Sequence, residues 1–258
     1  MGNEGETDVL SEEHRAAAEF AAEAGDRLIA LRNQSTLGRA LGGEGDQLSH
    51  HLLMGLVAER FPGDRVRSEE ADRSVALDSA LGRVWIIDPL DGTREYSEGR
   101  EDWAVHVALA VDEEPTVGAV ALPALGVVLG TGDPPALAEP AVVPRMVVSR
   151  SRPPKFVPVV AERLGAVTVP MGSAGAKIAA VIRGEAEVYV HAGGQYEWDS
   201  AAPVAVAISC GLHASRLDGS PLRYSQPDPW LPDLVVCHPT LTEAVLDALS
   251  ESGVSVVE

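Results

Sequence analysis

One stretch constrains this chain more than any other: Trp85-Ile-Ile-Asp-Pro-Leu-Asp-Gly-Thr-Arg-Glu-Tyr96. Val84–Ile87 is the apolar, β-branched run expected of a buried strand. Pro89 fixes its own φ, lacks an N–H and biases Asp88 away from helix, so the strand is expected to end and turn there. Gly92 permits a backbone conformation that other residues resist, and a helix is expected to start beyond it. Asp88 and Asp91 are thereby held close together at the mouth of a strand, ahead of free backbone N–H groups. Clustered carboxylate and carbonyl oxygens suit a hard divalent cation. Free N–H groups at a helix N-terminus suit a phosphate. Read alone, the same residues also describe an Asp-rich turn capping a helix.

Two further stretches favour the chemical reading. Ser68-Glu69-Glu70 follows a strand expected over Arg65–Arg67. Far downstream lies Glu197-Trp-Asp-Ser-Ala-Ala-Pro203, with Asp199 at an expected helix N-cap and Pro203 tolerable in the first turn. In this order the three stretches resemble the signatures of the inositol monophosphatase superfamily, magnesium-dependent and lithium-sensitive phosphomonoesterases. Gly172-Ser-Ala-Gly-Ala-Lys177 and Asp218-Gly-Ser-Pro-Leu-Arg-Tyr224 are most similar to its 3′(2′),5′-bisphosphate nucleotidase branch. The resemblance runs from about Asp46 to Val236.

The remaining pattern fits a layered fold. Residues 1–10 are polar, and Ser11-Glu12-Glu13 reads as the start of an amphipathic, Ala-rich helix reaching about Arg32. Leu37–Gly45 reads as a Gly-rich loop leading to Asp46. Leu48, Leu52, Leu53, Leu56 and Val57 then mark a helix that Pro62-Gly63 stops. Ser74–Gly82 reads as a linker. Trp103–Ala110 alternates as a half-buried strand does, and Thr116–Ala121 and Val127–Leu129 are further strands. The Pro-rich Asp133–Pro144 looks like a boundary. Beyond it, strands at Met146–Val148, Val167–Val169 and Val188–Val190 alternate with helices at Phe156–Leu164, Ala174–Arg183 and Ser200–Cys210. Such alternation argues for a mostly parallel sheet. Leu234–Cys237 and Thr240–Ser250 close the chain as strand and helix. The expected fold is therefore α+β in residues 1–140, with an antiparallel sheet and most of the metal ligands. Residues 141–258 form an α/β half that closes the substrate cleft. The resemblance implies an αβαβα sandwich.

With 39 acidic against 20 basic side chains the net charge is −19, which argues against a nucleic-acid polymer or an anionic membrane as partner. A small phosphorylated substrate stays compatible, because bound cations invert the local field. Cys210 and Cys237 are too few for a disulfide framework and read as reduced core residues. No secretory signal and no membrane span is evident, so a cytoplasmic protein is expected. A homodimer is left open.

The resemblance also implies roles. Glu69, Asp88 and the carbonyl of Leu90 hold one Mg²⁺; Asp88, Asp91 and Asp199 hold a second, and a third is possible at some sites of this kind. Gly92 and Thr93 offer backbone N–H groups to phosphate. Thr93 backed by Asp46 activates water, with Glu69 nearby. Relatives carry a lysine and a Thr-containing run before this aspartate, where this chain has Leu41-Gly-Gly-Glu-Gly45. A plain N-cap is the alternative for Asp46. Ser173 and Lys177 are placed to meet adenosine or its 5′-phosphate, and Arg150 and Arg152 face a phosphate or solvent. The implied substrate is 3′-phosphoadenosine 5′-phosphate, or its sulfated form, cleaved at the 3′-phosphate in sulfate assimilation. Inositol monophosphate, fructose 1,6-bisphosphate and a non-catalytic binding role are the alternatives.

Overall fold

A computed structural model describes residues 4–71 and 82–253. The linker expected at Ser74–Gly82 falls, apart from Gly82, outside them. Among the described residues are seven α-helices and two five-stranded sheets, ordered β1-β2-β3-β4-β5 and β7-β6-β8-β10-β9.

The first sheet comprises β1 (Arg65–Ser68), β2 (Arg83–Asp91), β3 (Ala104–Val111), β4 (Glu114–Leu122) and β5 (Val127–Gly130). Its pairings are antiparallel except β1 with β2. Strand alternation sends successive side chains to opposite faces. Trp85, Ile87, Val105, Val107 and Leu109 pack under α1 (Glu4–Gln34) and α2 (Arg39–Arg60). Val84, Ile86, Ala104, Ala108 and Ala110 pack on the opposite side, against α5 (Ala174–Ile182) and α6 (Ala201–Ser209). Both faces of β3 are thus covered, and it is buried from Ala104 to Ala110 rather than half-buried. The small alanines of one face admit the middle helices.

The second sheet lies beyond those helices. It holds β6 (Arg145–Ser149), β7 (Val167–Met171), β8 (Val188–Tyr196), β9 (His213–Ser215) and β10 (Trp230–Cys237). β7, β6 and β8 are parallel, as the strand–helix alternation implies, while β10 runs antiparallel between β8 and β9. Met146, Val148, Val188, Val190 and Val235 meet α4 (Val157–Leu164) and α7 (Thr242–Glu251) on the outer side. Three apolar clusters separate five layers, giving the αβαβα sandwich. Cys210 and Cys237 are free and buried. No helix among the described residues is long and apolar enough to cross a membrane.

Three local readings change. Helix α1 begins at Glu4, ahead of the expected cap Ser11. The Gly-rich segment before Asp46 is helical, because α2 already starts at Arg39. Asp46 therefore lies inside a helix and caps nothing. The glycines allow close approach: a Cβ on Gly42 would stand 2.8 Å from the Thr93 methyl, and one on Gly45 3.0 Å from the Tyr96 ring. Tight seating of α2 against the Asp-Pro-Leu-Asp segment outweighs the roughly 1 kcal/mol that each helical glycine costs. Finally, β2 does not end at Asp88 but runs on through Pro89 to Asp91.

Candidate active site

The continuation of β2 is what builds the site. Asp88 pairs with His106 and Asp91 with Ala104, so Pro89 and Leu90 together oppose Val105. This is a β-bulge, a place where a missing N–H does no harm to a ladder. In a regular strand, residues three apart point to opposite faces. The extra residue restores the phase, and Asp88 and Asp91 both face the middle helices. Ser49 of α2 pins the bulge by donating to the Pro89 carbonyl at 2.7 Å. Gly92 then takes φ 87°, a left-handed conformation, and leads into the five-residue helix α3 (Thr93–Ser97).

Asp199 arrives from the middle layer. One carboxylate oxygen from each of Asp88, Asp91 and Asp199 lies within 4.8 Å of the others. Asp199 ends a short 3₁₀ turn, Glu197–Asp199, and accepts the Tyr196 N–H at 2.6 Å; Ser200, not Asp199, occupies the N-cap position of α6. Trp198 stacks on Tyr196 with centroids 4.8 Å apart. The turn is tied to β1 by Arg67 and Glu197, 2.7 Å apart and both largely buried. That pair fixes the strand leading to Glu69 against the turn leading to Asp199. Glu197→Ala leaves the Arg67 guanidinium buried and unpaired, and is expected to cost about 3 kcal/mol of unfolding free energy. Urea denaturation measures it, and a loss below about 1 kcal/mol would remove this pair from the account of the site.

The electrostatics are those of a crowded anionic pocket. Burial first, and then Glu69, Asp91 and Asp199, hold the Asp88 carboxyl well above the usual carboxylate range. Burial and Asp46 push Glu69 to about 7. Burial and Asp91 push Asp199 to about 7. Asp46 also rises to about 7, through burial and then Glu70. Carboxylates that resist ionisation together are a donor set that fits a bound hard cation. Thr93 Oγ1 lies 3.3 Å from Asp46 Oδ1 and 3.2 Å from the Leu90 carbonyl, so the hydroxyl and its expected partner are together.

Asp91 has a second set of contacts. It accepts from Ser173 Oγ, from Gly175 N at 2.5 Å and from Ala174 N at 3.2 Å. A carboxylate of the first sheet thus sits at the N-terminus of α5, where the helix dipole favours it. Ser173 Oγ also accepts from Ala176 N at 2.8 Å as the cap of α5. His106 is missing from the sequence reading because a lone histidine has no ligand spacing. It is fully buried, with Nδ1 2.9 Å from the Trp198 carbonyl and Nε2 3.4 Å from Asp91 Oδ2. Its register partner, Asp88, is the only signal that placed it here.

Asp91 and Asp199 open onto a cavity of about 510 Å³, whose walls also include Gly92, Ser173, Lys177 and Arg152. Lys177 is buried, and its ammonium turns back to donate to the Gly172 carbonyl at 3.2 Å and to that of Ser173. Burial lowers its pKa. Arg150 pairs with Glu95 at 2.7 Å and Glu98 at 3.1 Å. Of the two expected arginines, Arg152 is the one lining the cavity.

Residues 9–253 match the inositol monophosphatase family. The chain belongs to that family. A protein named 3′-phosphoadenosine 5′-phosphate phosphatase, from Mycobacterium leprae, is 47% identical over 252 residues, covering 91% of this chain and 92% of the relative. Its namesake from Mycobacterium tuberculosis is 49% identical over 222 residues, covering 82% and 83%. Among solved structures, inositol monophosphatase II from Staphylococcus aureus superposes with a TM-score of 0.79 at 22% identity, covering 93% of this chain and 94% of that one. That likeness supports the fold. The same staphylococcal enzyme has been solved with 2′AMP and with inositol monophosphate bound.

Proposed function

We propose that this family member is a phosphomonoesterase that removes the 3′-phosphate of 3′-phosphoadenosine 5′-phosphate, the by-product of sulfate assimilation. The observation that carries the reading is the Asp88–Asp91–Asp199 cluster, which meets a cavity of nucleotide size through Asp91 and Asp199. Relatives at 47% and 49% identity carry the name of that activity.

In this reading Glu69, Asp88, Asp91, Asp199 and the Leu90 carbonyl hold two or three Mg²⁺ ions. When bound, the ions supply Lewis acidity toward the phosphoryl oxygens and acidify water at neutral pH. The side chains do the rest. Thr93 Oγ1 takes a proton from the attacking water as it passes its own to Asp46. Gly92 and Thr93 turn first-turn N–H groups, which have no intrahelical partner, toward the phosphate. The ester oxygen leaves as the ribose 3′-hydroxyl on taking a proton from solvent water, and Asp46 gives its proton back to solvent. Residues 1–140 carry most of the cation ligands and residues 141–258 close the far side of the cleft. From that side, Ser173 shapes the pocket, Lys177 adds positive charge and Arg152 meets the 5′-phosphate.

A panel of phosphomonoesters, assayed with Mg²⁺ for phosphate release, tests the reading. The nucleotide is expected to exceed inositol monophosphate in kcat/KM by roughly tenfold or more, the worth of one charge-assisted contact. Lys177→Met is expected to lower kcat/KM for the nucleotide and leave inositol monophosphate nearly unchanged. A native preference for inositol monophosphate would replace the nucleotidase with the sister activity.

A further inference from the structure

The contacts that occupy Ser173 and Lys177 leave the base of a nucleotide without a reader among the residues expected to supply one. The same cavity offers another group. Gln195, near the end of β8, lines it and is buried. Both its amide oxygen and its amide nitrogen lie out of solvent with no hydrogen-bond partner among the described residues. Buried polar atoms are nearly always paired, so a donor and an acceptor left open on one side chain call for a partner.

The same cavity also has an aromatic wall. Trp230, the first residue of β10, lines the cavity and is 44% exposed. Its indole lies directly on Gly194: a Cβ there would stand 1.7 Å from the ring, and φ is +86°. Only glycine leaves room for it. Tyr196, which pairs in register with Trp230, holds the indole edge-on at 5.5 Å. A platform and a donor–acceptor pair lining one cavity are the two elements that recognise a heteroaromatic base.

Building on the nucleotidase reading, we infer that Gln195 reads the amino-purine edge of the substrate while Trp230 supports the ring. A carboxamide matches adenine at the 6-amino group and a neighbouring ring nitrogen: the oxygen accepts from N6–H, and the nitrogen donates to the ring. Neither inositol nor a sugar phosphate offers such an edge. Specificity for the nucleoside then resides in the β8–β10 wall, and the carboxylates treat every phosphomonoester alike.

The test measures kcat/KM for 3′-phosphoadenosine 5′-phosphate, for its analogue lacking the 6-amino group, and for inositol monophosphate. Native protein and Gln195→Leu are compared under saturating Mg²⁺. The native protein is expected to lose about tenfold when the amino group is removed, since the Gln195 oxygen is then left unpaired. Gln195→Leu is expected to treat the two purines within about twofold, with the change in KM and little in kcat. Its turnover of inositol monophosphate, within about twofold of native, reports an intact fold; Gln195→Met replaces it if the leucine variant does not fold. A variant that keeps the native discrimination overturns this inference and leaves the nucleotidase standing. A native protein that cleaves neither purine substrate overturns both.

Discussion

Asp88→Asn is expected to reduce phosphate release by about a thousandfold or more while raising the melting temperature of the cation-free protein. The two effects share a cause. Asp88 is buried among Glu69, Asp91 and Asp199, whose charges, after burial, oppose its ionisation. An amide of the same shape removes one charge from that crowd and one ligand from the cation. A thousandfold corresponds to ~4 kcal/mol of barrier, within reach of the several kcal/mol that metal catalysis supplies. Relief of repulsion is expected to raise Tm by ~2–4 °C for each kcal/mol recovered. The pH dependence fixes the sign. Glu69, Asp199 and Asp46 are pushed up to about 7 in the folded protein, whereas unfolded carboxyl groups titrate near about 4. The folded state binds protons more tightly, so these groups favour it below about pH 4, and that advantage is lost as pH rises through 7. The Tm gap between variant and native protein, measured in chelator, is therefore expected to be widest near pH 8 and to close toward pH 4. A variant that melts lower than native at pH 8 would show that the cluster is not repulsive.

The second large effect is expected on removing cations. Chelation abolishes hydrolysis and Mg²⁺ restores it, because the donors are all hard oxygens. Phosphate release before and after dialysis against chelator, then with added Mg²⁺, measures this. Li⁺ fits the same Asp88, Asp91 and Asp199 oxygens without matching the charge, so it is expected to inhibit at concentrations that spare other magnesium enzymes. Mg²⁺ is also expected to raise Tm at pH 8, since binding to the folded state alone stabilises it. Full activity in excess chelator would end the metal-assisted mechanism.

The layers were legible because apolar periodicity reports burial directly, and each strand and helix expected after residue 144 is present in the fold, although β8 runs on to Tyr196 and β10 starts already at Trp230. What escaped was set by contacts between distant segments. Gly42, Gly43 and Gly45 read as loop on propensity, and only the proximity of Thr93 to Gly42 and of Tyr96 to Gly45 shows why the helix needs residues without side chains at those two positions. Pro89 read as a strand end, since a bulge depends on the partner strand, which local sequence does not contain. β9 is three residues long and has no pattern to detect. For the site, Asp88, Asp91 and Asp199 could be picked out because clustered acids beside Pro and Gly are rare in a strand end. His106 and Gln195 could not: each is a single polar residue whose meaning comes from what lies across the sheet.

The position of Asp91 has a mechanical consequence. It belongs to the first sheet, yet Ser173, Ala174 and Gly175 at the head of α5 all donate to it. Drawing α5 away from the first sheet would strip a buried carboxylate of its donors and uncap a helix in a single event. The cleft therefore cannot gape like a hinge at that edge without disturbing the residue that anchors it, and the protein behaves there as a bolted joint. Substrate and product are then expected to pass along the outer rim, by the exposed Arg152 side chain.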